Sequence, residues 1–152
     1  DKAVMTHMIK FLSFIGLGQR NLPFQAQRRG LPLPFKANKL TSDPNRYQLW
    51  ATYFENHKNM RVGPPTYGWI RAALRAMKFV NANAAHLKIP ALVTACGADA
   101  IVTPASIEEF ATQAHADFIN FPGCKHEILL ERDEDRNRFW AEFDTFMERQ
   151  GL

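Results

Sequence analysis

Asp99 and His126 are the side chains whose setting best suits proton chemistry. Pro90-Ala-Leu-Val-Thr-Ala-Cys-Gly-Ala-Asp99 reads as an apolar strand that runs into an acidic residue. Asp117 to Phe121 reads as a second strand, which runs through Pro122-Gly-Cys-Lys-His126 into a histidine. In open sheets of parallel strands, reacting groups gather at the carboxyl ends of the strands. An aspartate held there can accept the Nδ1 proton of an imidazole. That fixes the tautomer and stabilises the imidazolium formed when the histidine takes a proton from a hydroxyl nucleophile. Acid before histidine is also the order of a triad whose serine comes first in the chain. Taken singly, Asp99 could be a turn residue after Gly97-Ala98, and His126 a cap on the loop before the last helix. Their joint placement at the ends of consecutive strands favours the acid–base pair.

The third member is missing. No G-x-S-x-G occurs in the 152 residues. Ser13, Ser42 and Ser106 lack the strand–glycine–helix setting of an activated serine, so the nucleophile is expected outside this chain. The other chemically able residues read as structural. His7, His57, His86 and His115 have no partner pattern. Glu127 and Glu131 either order the histidine loop or are solvated carboxylates at a helix entry, the commoner case. Cys96 and Cys124 lie near strand ends, where a disulfide between neighbours is conceivable and two buried reduced thiols are favoured. Cys124 and His126 make no four-ligand set, so no metal is expected, and no cofactor. Gly16-Leu-Gly18 follows a helix rather than a strand and is no phosphate loop.

The elements that must position the pair follow from hydrophobic periodicity. Val4, Met8, Phe11, Leu12 and Ile15 fall at helical spacing over roughly Lys2 to Leu17, with Gly16 and Gly18 as the stop. Residues 19–40, with Pro23, Pro32 and Pro34, read as a long irregular stretch, either a lid or a surface connector. Ser42 or Asp43 can cap a helix with Pro44 in its first turn, carrying Tyr47, Trp50 and Phe54 with Leu49 and Tyr53. After a break at Met60 to Pro65, Thr66 starts a helix with Trp69, Ile70, Ala73, Leu74, Met77 and Val80 on one side. Ile89 to Ala95 reads as a strand covered on both faces, Pro104 to Ala114 as a helix, and Asp133 to Arg149 as a terminal helix with Phe139, Trp140, Phe143, Phe146 and Met147 on a broad apolar face. Strand–helix–strand–helix implies parallel strands. Two such strands make no self-sufficient sheet, so they read as the C-terminal flank of a larger one.

Composition narrows the class. Apolar residues make up 46% of the chain and the net charge is +4, as in an ordinary globular protein. No basic stripe stands out beyond Gln27-Arg28-Arg29, which excludes a nucleic-acid role. No apolar run approaches the ~18 residues of a membrane span. A start at Asp1-Lys-Ala-Val-Met leads us to expect sequence upstream.

Gly97-Ala-Asp99-Ala-Ile-Val102, Pro122-Gly-Cys-Lys-His126-Glu-Ile-Leu-Leu-Glu131, Leu40-Thr-Ser-Asp-Pro-Asn-Arg-Tyr47 and Gly63-Pro-Pro-Thr-Tyr-Gly-Trp69 together carry a resemblance over nearly the whole chain. It resembles the lysophospholipase- and monoacylglycerol-lipase-like branch (serine aminopeptidase S33-type) of the α/β-hydrolases. The resemblance implies an α/β fold, here its C-terminal part: residues 1–18 a helix entering the cap, 19–88 a mainly helical cap or lid, and 89–152 the core with two parallel strands and flanking helices. It implies ester cleavage through an acyl-enzyme, with His126 as general base then acid and Asp99 as its support. Serine and oxyanion hole would come from a missing N-terminal half. The implied partners are a small ester or lysolipid, that missing half or a second copy of the chain, and a membrane surface touched peripherally. The implied location is the cytoplasm, at the inner membrane. Two alternatives stay open: another α/β-hydrolase chemistry (haloalkane or epoxide opening, thioesterase), and a non-catalytic fragment that pairs through its sheet edge.

Overall fold

A computed structural model of the chain describes residues 2–22 and 32–151. Gln27-Arg28-Arg29 and the middle of the irregular 19–40 stretch lie outside the described residues. The regular elements are α1 (Lys2–Leu12), α2 (Pro44–Asn56), α3 (Tyr67–Ala82), β1 (Leu92–Cys96), α4 (Pro104–Gln113), β2 (Asp117–Phe121) and α5 (Asp133–Arg149). Among the described residues, no helix is long and apolar enough to cross a membrane. Packing divides the chain differently from the segments expected at 18/19 and 88/89. One unit joins Asp1–Pro32 with Phe54–Ala82, and the other joins Leu33–Tyr53 with Asn83–Leu152.

In the first unit α1 packs against α3. α1 ends in a wide turn over Ser13–Leu17, where Gly16 takes a φ of +87° that a side chain would strain. The chain then runs beside the entry to α3. Gly68 N–H donates to Gly18 O at 2.8 Å and Tyr67 N–H to Arg20 O at 3.0 Å. A Cβ on Gly68 would lie 2.9 Å from Gly18 O, so this approach requires glycine. Thr66 Oγ1 accepts from Trp69 N–H, capping α3 where the sequence places its start. The expected α1 stripe is mostly exposed, however: Val4, Met8, Phe11 and Ile15 face outward and Ile9 is the buried residue. A helix with apolar residues on most sides can bury only the strip that meets its partner. On α3, Trp69, Met77 and Val80 are likewise exposed, while Ile70, Ala73 and Leu74 are half-buried.

The second unit is built on β1 and β2, which pair in parallel from Leu92↔Asp117 to Cys96↔Phe121, with α4 as the crossover. Pro104 opens α4, where its missing N–H costs nothing. Asp133, Glu134 and Asp135 open α5 and Arg149 closes it, matching the helix dipole at both ends. The core is Cys96, Phe121 and Cys124, against which Ile119, Ile128 and Phe139 pack. β1 is not covered on both faces as expected. Only Ala95 and Cys96 are buried, and Leu92, Val93 and Thr94 are half-buried. The physical reason is that each strand has one neighbour among the described residues. On α5, Phe139 and Phe143 stack with ring centroids 6.3 Å apart and Phe146 is buried, whereas Trp140 stays largely exposed. Tyr47 and Ala51 of α2 are buried, Trp50 is half-buried, and Leu49 and Tyr53 face outward.

Candidate active site

The site begins with a close backbone approach. Beyond β1, Gly97 N–H donates to Phe121 O at 2.8 Å and Ala98 N–H to Cys124 O at 2.9 Å, so pairing continues past both strand ends. A Cβ on Gly97 would lie 2.7 Å from both Cα and the carbonyl oxygen of Pro122. Only glycine lets the two loops run side by side at this distance. The consequence is a short path from one strand end to the other.

Across that path Asp99 meets His126. Asp99 Oδ2 lies 2.8 Å from His126 Nδ1. The other carboxylate oxygen, Oδ1, accepts from Ile101 N–H at 2.6 Å and Val102 N–H at 3.1 Å. The Asp99 side chain is only 4% exposed and that of His126 29%. Burial pushes the Asp99 carboxyl up. The hydrogen bond from His126 and those from the Ile101 and Val102 amides push it down, and the net position is below its ordinary value. Asp99 is therefore ionised at neutral pH and can only accept, so the ring must donate from Nδ1–H. In the neutral ring this tautomer has its lone pair on Nε2, as a base requires.

The rest of the loop is tied down by backbone. Glu127 N–H donates to Leu40 O at 2.9 Å, and His126 N–H to Lys39 O at a longer 3.4 Å. The strap that supplies these carbonyls is shaped by buried Asn38, whose side chain accepts from Leu40 and Thr41 N–H and donates to Phe35 O. An asparagine that accepts from amides two and three residues on is a recognisable turn signal. The sequence alone shows this stretch as a connector or lid.

Cys96 and Cys124 are free and buried, not bridged. Burial, then nearby carboxylates, raises the Cys96 thiol to about 11 and the Cys124 thiol to about 12, so both stay protonated. Glu127 is exposed, but Glu131 is wholly buried rather than solvated. Between the two proposed caps of α2, Asp43 takes the role: its Oδ1 accepts from Asn45 and Arg46 N–H, while Ser42 Oγ bonds Glu131 instead. Asp99 and His126, which the sequence places at consecutive strand ends, are in direct contact.

Comparison with known proteins gives the family. The family model described as serine aminopeptidase, S33 matches residues 6–133. Lysophospholipase L2 of Escherichia coli strain K12 is 29% identical over 113 residues, which is 69% of this chain and 33% of that protein. The same protein from Escherichia coli O6:H1 matches to the same extent. This chain thus spans about a third of the curated relatives it matches. A thermostable carboxyl esterase from Bacillus coagulans, solved with glycerol, superposes with a TM-score of 0.64 at 18% identity, covering 99% of this chain and 52% of that one. At that identity the likeness shows the fold, the C-terminal part of an α/β-hydrolase.

Proposed function

Since this chain belongs to the serine aminopeptidase S33 family of α/β-hydrolases, we infer that the whole protein in which it occurs cleaves carboxylic esters of the lysophospholipid or monoacylglycerol kind. The observation that carries the reading is the 2.8 Å contact of Asp99 Oδ2 with His126 Nδ1 at the ends of two adjacent parallel strands. The similarity to lysophospholipase L2 supports the substrate class. In this reading the protein works in the cytoplasm against the inner membrane, where such lipids lie.

His126 supplies the base. Its Nε2 takes the proton of a serine hydroxyl as oxygen attacks the ester carbonyl, and the proton then passes to the leaving alcohol. Asp99 holds the ring through Nδ1–H and stabilises the imidazolium while it lasts. Water, deprotonated by the same nitrogen, releases the acid. The serine and the amides that would hold the oxyanion come from outside these 152 residues.

The test is ester hydrolysis by the whole protein beside its His126→Ala and Asp99→Asn variants. Each variant is expected to lose kcat by about 10⁴-fold or more with its fold intact by circular dichroism. Turnover retained in folded His126→Ala would overturn the assignment.

A further inference from the structure

The carboxylate of Glu131 has no solvent contact and lies inside the second unit, on the far side of the histidine loop from Asp99 in sequence. Its Oε1 accepts from Lys125 N–H at 2.8 Å, from Ser42 N–H at 3.0 Å and from Ser42 Oγ at 3.0 Å. Oε2 shares the Ser42 N–H at 3.0 Å. A fully desolvated carboxylate is costly unless several donors converge on it, and here three do. Two of these donors are backbone amides, one of them on the residue immediately before His126. Neighbouring bonds extend the grip: Thr41 Oγ1 donates to Leu130 O at 2.7 Å, and Arg46 Nη1 donates to Glu131 O. With Glu127 N–H held by Leu40 O, the backbone is fixed on each side of the histidine.

From this geometry we propose that Glu131 is a positioning residue: it holds the His126 loop to the Leu40–Asp43 strap, and so holds the ring in register with Asp99. The proposal rests on the reading of His126 as the base. Asp99 fixes the ring through one hydrogen bond. A ring on a long loop also needs its Cα fixed, and the Glu131 carboxylate does this through the Lys125 amide. The side-chain hydrogen bonds of Glu131 go to Ser42 and Lys125, so it acts on His126 through the Lys125 amide.

The experiment uses the whole protein with Glu131→Ala, Glu131→Gln and Phe146→Ala. The last removes a buried side chain of α5 outside the clamp and controls for general loss of stability. Two quantities are read: kcat and KM on a short-chain ester, and the downfield NMR resonance of the His126 Nδ1 proton. Glu131→Ala is expected to lower kcat about a hundredfold with KM little changed, since an ångström of misplacement has that effect, and to broaden away the resonance. Glu131→Gln, whose Oε1 can take all three donors, is expected to restore both. Phe146→Ala is expected to lower Tm and keep both. If Glu131→Ala keeps its kcat and its resonance while losing Tm as Phe146→Ala does, the proposal is overturned. If Glu131→Ala does not fold, Glu131→Asp replaces it, keeping the charge on a shorter arm with the same two readouts. A wild type without ester turnover would sink the functional reading alone, and the resonance would then decide the role of Glu131.

Discussion

Asp99 shows how few atoms are needed to set the state of a site. One oxygen takes the imidazole proton and the other takes two amides, so the carboxylate is ionised despite its burial. Because its folded pKa lies below the ordinary 3.8, its stabilising contribution is fully present above that value and is lost as pH falls through the lower folded value. Carbon-13 titration of the Asp99 carboxyl should therefore show a midpoint below 3.8, and Asp99→Asn should remove that part of the acid dependence of stability. The cysteines offer a complementary check. Thiols displaced to about 11 and about 12 inside a core should resist a disulfide reagent at pH 8 in the native protein and react fully once it is unfolded. Rapid native labelling would contradict the burial of Cys96 and Cys124.

At the scale of elements, the strand ends matter more than the strands. Gly97→Ala would place a methyl 2.7 Å from Pro122 backbone, which cannot swing aside as a side chain would. The expected cost is about 1–3 kcal/mol of stability, as for overpacking generally. Ester turnover should fall further than that loss explains, because Asp99 and His126 are forced apart; calorimetry with kinetics on the same sample would separate the two. Loss of the α2 cap in Asp43→Ala should cost about 1 kcal/mol, read as a lower Tm by calorimetry. Much of this layer was legible. The turn at Pro122-Gly123 and the terminal helix Asp133–Arg149 have local causes and appear where the sequence puts them, while the strand before Gly97 occupies Leu92–Cys96 rather than Ile89 to Ala95. The buried state of Glu131 was not legible, because it depends on Ser42, which lies 89 positions away. Periodicity reports which residues share a face, but not which faces find a partner. That is why Phe11 and Trp69, each on an apolar stripe of its helix, stand exposed.

For the molecule as a whole, the acid–base pair lies entirely in one of two compact units, and the chain covers 33% of lysophospholipase L2 and 52% of the Bacillus coagulans esterase. A fluorophosphonate probe applied to the whole protein should label a serine outside residues 1–152, and peptide mapping would locate it. A labelled Ser13, Ser42 or Ser106 would refute that expectation. The absence of G-x-S-x-G was legible, and the family was legible as a resemblance carried by the segments around Asp99, His126, Tyr47 and Trp69. The arrangement of packed units was not, since α2 continues without a break while its contacts change near Tyr53.

Gly97 also bears on descent. Any change at this codon that alters the residue adds at least a methyl group, and that group meets main-chain atoms of Pro122. Its exposed neighbours Ala98 and Ala100 carry no such restriction. Drift in this lineage is therefore blocked at 97 and open at 98 and 100 beyond it. A library selected for turnover should be depleted of every substitution at 97 while tolerating many at 98 and 100.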